Sequence, residues 1–301
     1  MERKISFCVS VAIFFLLIVS FSIGLFEEGS HSYTHMSQAD KTFSTMDLFN
    51  VSSTANNSVF ASGGSSLFDS TNTGNWAGYV SVSSYTDEQP VVTAVQGSWV
   101  LQQVSTSLFG GPAAAQWIGI GGFYENGNPN NVDNTLIQTG TVSSENAFYQ
   151  RSYQAWYELL PNKPVYLPLS VHPGDVINAY IQEAGTNYWK ISISDLTDGQ
   201  SNTTFVTYDS SMLSADWIEE SHGTALANFG TASYGPYYTN TGIYNLATIN
   251  GLQYSIGETN YWSVTMVSGT TTLAYPDSLA PSNVPIPNAS YDSFQVTWVN
   301  G

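Results

Sequence analysis

The chain has 301 residues, of which 42% are hydrophobic, so it can bury a sizeable core. Only 10% are charged, and 23 Asp and Glu oppose 6 Lys and Arg, which gives a formal charge of -17 at pH 7. A strongly negative net charge argues against nucleic acid as a partner, because nucleic-acid binding needs a basic face. The acidity fits either ordinary solubility or a surface adapted to acid, where carboxylates lose charge and few basic residues remain to repel one another. We favour adaptation to acid.

The N-terminus carries an export segment. Basic residues at its start precede an apolar run from Ile5 to Phe26, which is long enough either for a signal peptide or for a membrane anchor. We therefore expect residues 1–26 to be one of these, and the rest to be secreted or tethered to the outer face of the cell membrane. Cys8 is the single cysteine and lies in this run, so the exported part has no thiol and no disulfide.

Two further regions follow the export segment. Residues 27–71 are rich in Ser, Thr, Asn and Gly without sustained periodicity, which indicates a linker, stalk or propeptide. Residues 72–301 contain many short runs rich in Val, Ile, Tyr, Trp and Thr, separated by turn residues, as in "ISISD" and "FQVTWV". This pattern predicts an all-β domain, an antiparallel β-sandwich or a barrel.

The sequence narrows the chemistry by elimination. Beyond the N-terminal tail, the remaining histidines are His172 and His222, and we expect both on the surface. In an acid medium an exposed histidine is charged and cannot act as a base, which excludes a Ser–His–Asp triad. No metal-ligand cluster, phosphate-binding loop or dinucleotide fingerprint is apparent, so neither a metal nor a cofactor is expected. Carboxylates and amides are left as candidates. A carboxylate can act as a base when its pKa lies near the working pH, and an amide can stabilise an oxyanion.

Gln138 is the amide that needs explanation. It lies in "TLIQTG", where strand alternation places it on the same face as Leu136 and opposite Ile137. A glutamine on an inner face costs free energy unless its amide finds partners. The residue is therefore either a satisfied structural amide or a group directed at a ligand.

Eight motifs in order resemble the glutamic peptidases, also called eqolisins: "NWAGYV", "AAQWIGIGGF", "LIQTGT", "YQAWYELLP", "HPGDVI", "ISDLTDG", "ADWIEES" and "LANFG". The resemblance covers roughly residues 75–230. It implies a sandwich of two curved antiparallel sheets, a lectin-like jelly roll of the concanavalin type. It also implies an acid endopeptidase that acts on proteins or peptides through a catalytic Gln and Glu, and we expect a monomer.

The resemblance transfers the catalytic pair to Gln138, from the motif L-Q-T-G, and to Glu220, the second acid of "DWIEE". Alternation along that strand places Asp216 on the same face as Glu220. Glu219 then lies on the opposite face or in solvent.

Five more residues are expected to contact substrate or to support the catalytic pair: Trp117, Tyr157, Glu158, Gln154 and Asp216. Trp117 is expected to form a groove wall. Two family aspartates are replaced here, by Gly121 and by Gln154. With fewer acids nearby, we expect Glu220 to titrate lower than in relatives that keep them.

The implied mechanism has Glu220 taking a proton from a water that it shares with Gln138, and then protonating the leaving amine. Other uses of the same fold are open from sequence. A curved sandwich with exposed Trp and Tyr can bind carbohydrate, and two carboxylates across a groove can hydrolyse a glycoside. A surface adhesin without activity is the third possibility.

Overall fold

The computed structural model describes residues 68–82, 91–105, 111–123, 132–146, 148–222, 225–235, 245–281 and 291–301. The segment predicted as a signal or anchor, and all of the predicted linker except its last four residues, lie outside this set and remain predictions. Within the described residues, no helix is long and apolar enough to cross a membrane.

Eight strands form the first sheet. In spatial order they are β1 (Phe68–Thr73), β15 (Asn260–Ser268), β2 (Trp76–Val82), β11 (Ser214–Ser221), β4 (Ala113–Gly121), β5 (Leu136–Glu145), β6 (Arg151–Leu159) and β7 (Val165–Tyr166). β1 pairs with β15 in parallel, and the pairings that build the centre of the sheet are antiparallel. β1 begins inside the segment predicted as linker.

The second sheet has the spatial order β14 (Leu252–Ser255), β13 (Leu246–Ile249), β3 (Val92–Val100), β8 (Val176–Gly185), β9 (Tyr188–Asp195) and β10 (Gln200–Thr207). Strands at the rim connect the two sheets, namely β12 (Thr231–Tyr234), β16 (Thr271–Pro276), β17 (Ala280–Pro281) and β18 (Tyr291–Trp298). A single turn of 3-10 helix, Ile256–Glu258, precedes β15. The predicted all-β antiparallel sandwich is confirmed.

The main core lies between the sheets. Alternate residues of both sheets meet there, for example Ile118, Ile137 and Trp217 from the first sheet and Trp99 and Ile191 from the second. Strands of this region are rich in β-branched and aromatic residues because such side chains pack well on a pleated surface. Burial of this apolar surface stabilises the sandwich at roughly 25 cal/mol per Å².

The outer face of the first sheet is buried as well. A second apolar cluster covers it, with Trp76, Trp117, Phe123, Trp156 and Trp262 as its largest members. Central strands β2, β4 and β11 are therefore buried on both faces, which is why β4 reads "AAAQWIGIG" without clear alternation of apolar and polar residues. The polar groups of the candidate site lie on this second face.

Candidate active site

Strand register brings the predicted site residues to one face of the first sheet. Asp216, Gly119, Gln138 and Glu158 are direct cross-strand partners in one row across β11, β4, β5 and β6. Glu220 lies four residues after Asp216 in β11, and residues i and i+4 of a strand share a face. Gln138, Asp216 and Glu220 therefore share one face of the first sheet.

The carboxyl group of Glu220 is held by N–H donors. Asn75 Nδ2 donates to Oε1 over 3.0 Å, and the indole Nε1 of Trp117 donates to Oε2 over 2.8 Å. Glu220 is only 5% exposed. The side chain is thus fixed in position by groups that cannot accept a proton from it.

Gln138 is held from the other side of the site. Its Nε2 donates to Oε2 of Glu158 over 2.8 Å, and both residues are only 4% exposed. The bond to a carboxylate defines which end of the amide carries nitrogen. The Oε1 atom of Gln138 is buried and has no hydrogen-bond partner. A water molecule or a substrate N–H would satisfy this acceptor.

Trp117 lies between the two halves of the site, and glycines make its position possible. A Cβ atom on Gly119 would come within 2.9 Å of the indole ring, and one on Gly140 would come within 2.5 Å of Trp117 Cβ and 2.1 Å of the Gln116 carbonyl oxygen. Trp76 packs edge-on against the same indole, with ring centroids 4.9 Å apart. Trp117 is 0% exposed, so the expectation of a groove wall is wrong and the residue is a buried donor.

Gln138 and Glu220 rise from the same face of the first sheet. They lie two strands apart, and Glu220 is four residues beyond the row of Gln138, which places their Cα atoms about 16 Å from each other at ordinary strand spacing. Glu158, which accepts the bond from Gln138, also raises the pKa of Glu220, so the two halves of the site interact electrostatically.

Burial dominates the electrostatics of the site. It raises the pKa of Glu220 to about 8, with a further upward contribution from Glu158, while hydrogen bonds from Trp117, Trp76 and Asn75 lower it. Burial also raises the pKa of Glu158 to about 7, against the lowering effect of the bond from Gln138. In the ligand-free site both carboxyl groups therefore carry protons in acid, and Glu158 ionises first as the pH rises.

Asp216 lies in the same row as Gln138 and is 0% exposed. Burial raises its pKa well above the ordinary value, the Ser214 hydroxyl opposes that rise, and Asp133 adds to it. Burial therefore favours the protonated form of Asp216. Both of its carboxyl oxygens are buried without a hydrogen-bond partner.

Asp133 was not anticipated from sequence. Its Oδ2 atom accepts a bond from the Gly122 N–H at 3.0 Å and lies 2.9 Å from where a Cβ on Gly121 would be. The carboxylate of Asp133 therefore occupies the space beside the position at which the resemblance places a family aspartate. Gly121 has φ +85 and its Cβ position is 2.5 Å from the Thr135 carbonyl, so a side chain there would be strained.

One expectation about neighbouring residues needs correction. Tyr157 lies on the inner face, packed against the core between the sheets, and does not line the site. Of the two placements open for Glu219, the opposite face is the one observed: it is 0% exposed there, and Gln102 Nε2 donates to its Oε1 over 2.9 Å. Gln154 lies on the site face, opposite Val142 and four residues from Glu158, with a buried Oε1 that has no partner.

The prediction for the histidines is half right. His172 is exposed, but His222 is only 8% exposed and stacks on Trp156 with ring centroids 6.3 Å apart. Burial lowers the pKa of His222 to about 4, so it is neutral above that pH. Its burial follows from its position: it comes two residues after Glu220, on the same apolar-lined face.

Asn75 is the other site residue that sequence reasoning missed. Asn75 immediately precedes β2, every residue of which is buried. This position was the available signal, because a buried side-chain amide requires a hydrogen-bond partner. That partner, Glu220, lies 145 residues away along the chain and could not be identified from local pattern.

Comparison with known proteins identifies the family. Residues 74–275 match the profile of the Peptidase A4 family. Scytalido-glutamic peptidase, solved with a peptide-based transition state analog, is similar in fold, with a TM-score of 0.55, 15% identity, and coverage of 75% of this chain and 98% of that chain. SCP-B, a member of the eqolisin family solved with the tripeptide Ala-Ile-His, gives a TM-score of 0.53 with the same identity and coverage.

Comparison with the curated proteins gives no significant match. The family profile nevertheless spans most of the chain, and the fold agrees with it. The chain therefore belongs to the Peptidase A4 family and is a glutamic endopeptidase.

Proposed function

We propose that this enzyme hydrolyses peptide bonds on the acid side of neutrality, with Glu220 activating a water and Gln138 stabilising the oxyanion. One observation carries the assignment. The buried, unpartnered Oε1 of Gln138 and the donor-held carboxyl of Glu220 lie on one face of the first sheet. The proposal requires a water that connects them. The motif resemblance implies the same pair.

The steps follow from the hydrogen-bonding capacity of each group. The water donates one hydrogen to Gln138 Oε1 and the other to Glu220. As its oxygen attacks the scissile carbonyl carbon, its proton passes to Glu220 and the carbonyl becomes an oxyanion. The Gln138 Nε2 has a second N–H beyond the one bonded to Glu158, and this N–H stabilises the oxyanion. Glu220 then gives its proton to the leaving nitrogen as the C–N bond breaks.

Asn75 and Trp117 prepare Glu220 for both roles. Two N–H donors stabilise the carboxylate form, which must be present to accept a proton. Burial and Glu158 favour the protonated form, which must follow to deliver it. These opposing influences let one carboxyl group serve as base and then as acid.

Two opposite pH dependences set the working range. The base form of Glu220 grows as the pH rises toward its pKa of about 8. The buried carboxyl groups hold protons in the folded state, so folding is most favourable in acid and weakens as the pH rises. Activity on the acid side of neutrality satisfies both, and it agrees with a surface that has few basic residues.

Export is part of the proposal. The apolar run in residues 1–26 supports secretion or attachment to the outer face of the membrane, and the lone cysteine of the chain lies within that run. Substrates are proteins or peptides, and no metal or cofactor enters the proposed chemistry.

The carbohydrate alternative relied on exposed Trp and Tyr. The tryptophans no longer support it, because seven of them are at most 7% exposed and Trp298 is half-buried. Some tyrosines are exposed, among them Tyr188 at 44% and Tyr291 at 53%. Sugar stacking needs an open aromatic face. Peptide hydrolysis is the function that the buried carboxyl–amide arrangement favours.

The test is an assay of the purified exported chain on denatured protein between pH 3 and pH 8, beside Glu220→Gln. We expect cleavage that resists inhibitors of serine, cysteine and metal peptidases and that disappears in the variant. Equal cleavage by both proteins would refute the proposal, as would release of sugar without proteolysis.

A further inference from the structure

Two turns meet at one end of the second sheet, away from the active-site face. The turn before β8 carries His172 and Asp175, and the turn after β9 carries Asp198. Ligand atoms of these three residues all lie within 4.8 Å of one another, and His172 Nδ1 is 3.6 Å from Asp175 Oδ2. These separations fit ligands around one ion, because metal–ligand distances of about 2.0 to 2.4 Å place ligand atoms at most about 4.8 Å apart.

A buried carboxylate behind the cluster supplies an independent observation. Asp195 is 0% exposed, and its Oδ2 atom has no hydrogen-bond partner. Its Oδ1 atom accepts bonds from the backbone N–H groups of Thr197 and Asp198, at 2.9 and 3.3 Å, which fixes the carboxylate in place. An unpartnered buried anion of this kind is costly unless a cation or a proton compensates it.

The carboxyl group of Asp195 lies beside the cluster. It approaches the Asp175 carboxyl group within hydrogen-bonding reach, and two carboxyl groups so close need a shared proton or a nearby cation. The backbone N–H of His172 donates to Asp175 Oδ2 over 2.6 Å and orients that carboxyl group. Three converging acids beside an imidazole have the composition of a cation site.

We propose that His172, Asp175 and Asp198 bind a divalent transition-metal ion, with Asp195 compensating its charge from behind. The imidazole distinguishes this class from Ca²⁺ and Mg²⁺, which prefer oxygen ligands alone. The ion joins the two turns, which the backbone already connects through the Leu196 N–H bond to the Val176 carbonyl at 2.8 Å. Its role is structural, since no residue of the catalytic face takes part.

The experiment is thermal unfolding of the EDTA-treated exported chain at pH 7 with increasing Zn²⁺, Mn²⁺ or Ca²⁺. We expect a saturable rise of several degrees with Zn²⁺ and Mn²⁺ at micromolar concentrations, and one bound Mn²⁺ per chain by electron paramagnetic resonance. His172→Ala and Asp198→Asn alter exposed side chains, so they should fold normally and weaken binding tenfold or more. Asp209→Asn, which alters an exposed acid outside the cluster, is the matched control and should bind as the wild type does.

Each other outcome contradicts the proposal. Absence of any saturable shift would mean that a proton, rather than a metal, compensates Asp195. A shift that survives both ligand variants would place the ion elsewhere. A shift with Ca²⁺ alone would overturn the assignment to a transition-metal ion.

Discussion

Glu219 and Glu220 are neighbours in β11, yet they serve opposite faces of the same sheet. Glu219 points into the core between the sheets and meets a single amide, Gln102. Glu220 points to the outer face, where it meets Asn75 and Trp117 and interacts with Glu158. Burial raises the pKa of both carboxyl groups.

The comparison shows what does not identify a catalytic carboxyl group. Burial, a raised pKa and an amide partner are common to both residues, although perturbed pKa values are often used to find functional sites. Both faces leave acceptors unpartnered, namely Gln138 Oε1 on one and Gln102 Oε1 and Glu219 Oε2 on the other. Glu220 differs in that a second carboxyl–amide pair, Gln138 and Glu158, shares its face. Convergence of two carboxyl–amide pairs on one face is the distinguishing feature.

The largest expected difference is between the two glutamates themselves. Glu220→Gln removes the group that both accepts and donates the proton, so we expect turnover to fall by about a thousandfold to ten-thousandfold. Glu219→Gln keeps an oxygen acceptor for Gln102 and should retain turnover within about twofold. Steady-state kinetics on a quenched peptide at one acid pH measure both. Similar losses in the two variants would show that the faces are not functionally distinct.

The two amides provide the next contrast. Gln138→Ala removes the oxyanion donor and the water acceptor, which is worth about 3 to 4 kcal/mol, so turnover should fall by hundreds-fold or more. Gln102→Ala leaves Glu219 without its donor and should lower the free energy of unfolding while turnover per folded molecule stays near the wild-type value. Circular dichroism and active-site normalised kinetics separate these effects. A smaller loss for Gln138→Ala than for Gln102→Ala would reverse the assignment.

Glu158→Gln tests the electrostatic coupling across the site. The replacement removes a negative charge that raises the pKa of Glu220, so the acid limb of kcat/KM should move to lower pH, by up to about one unit. The glutamine oxygen can still accept the bond from Gln138. Glu219→Gln is the control and should move the limb much less. An acid limb unchanged by Glu158→Gln would contradict the coupling.

Stability should depend on pH in the direction opposite to ordinary acid denaturation. The folded state keeps protons on Glu158 and Glu220 up to pKa values of about 7 and about 8, whereas the unfolded chain loses them near 4.5. Their contribution is therefore complete below about pH 4.5 and is lost as the pH rises to about 8. Each such proton gives a slope of about 1.4 kcal/mol per pH unit.

Chemical unfolding at successive pH values measures this slope. Glu219→Gln removes one buried titrating carboxyl group, so its curve should be flatter above pH 4.5 than that of the wild type, by about one proton. A free energy of unfolding that increases from pH 5 to pH 8 would show that these groups are ionised in the folded state.

Local pattern was enough to predict the sandwich and the shared face of Asp216 and Glu220, because both depend on a period of two along strands. Family resemblance was needed to assign roles to those residues. What could not be predicted depends on contacts between distant parts of the chain. Asn75 meets a partner 145 residues away, and the burial of His222 and Glu219 depends on which elements cover each face.

Asp133 illustrates the same limit. The change to Gly121 indicated loss of an acid, and Glu220 was expected to titrate lower than in relatives. Instead another carboxylate fills the space beside Gly121 from an adjacent segment, and burial raises the pKa of Glu220 to about 8. Whether Glu220 titrates below the catalytic glutamate of relatives stays a prediction. Asp133→Asn is a better probe of this region than a substitution at the strained position 121.

A double-mutant cycle of Glu220→Gln and Gln138→Ala tests most directly whether the two residues act on one water. If they form a single catalytic unit, kcat/KM of the double variant should be about equal to that of Glu220→Gln alone, because the second change removes a group that has already lost its function. Losses that multiply would show two independent contributions and would contradict the account.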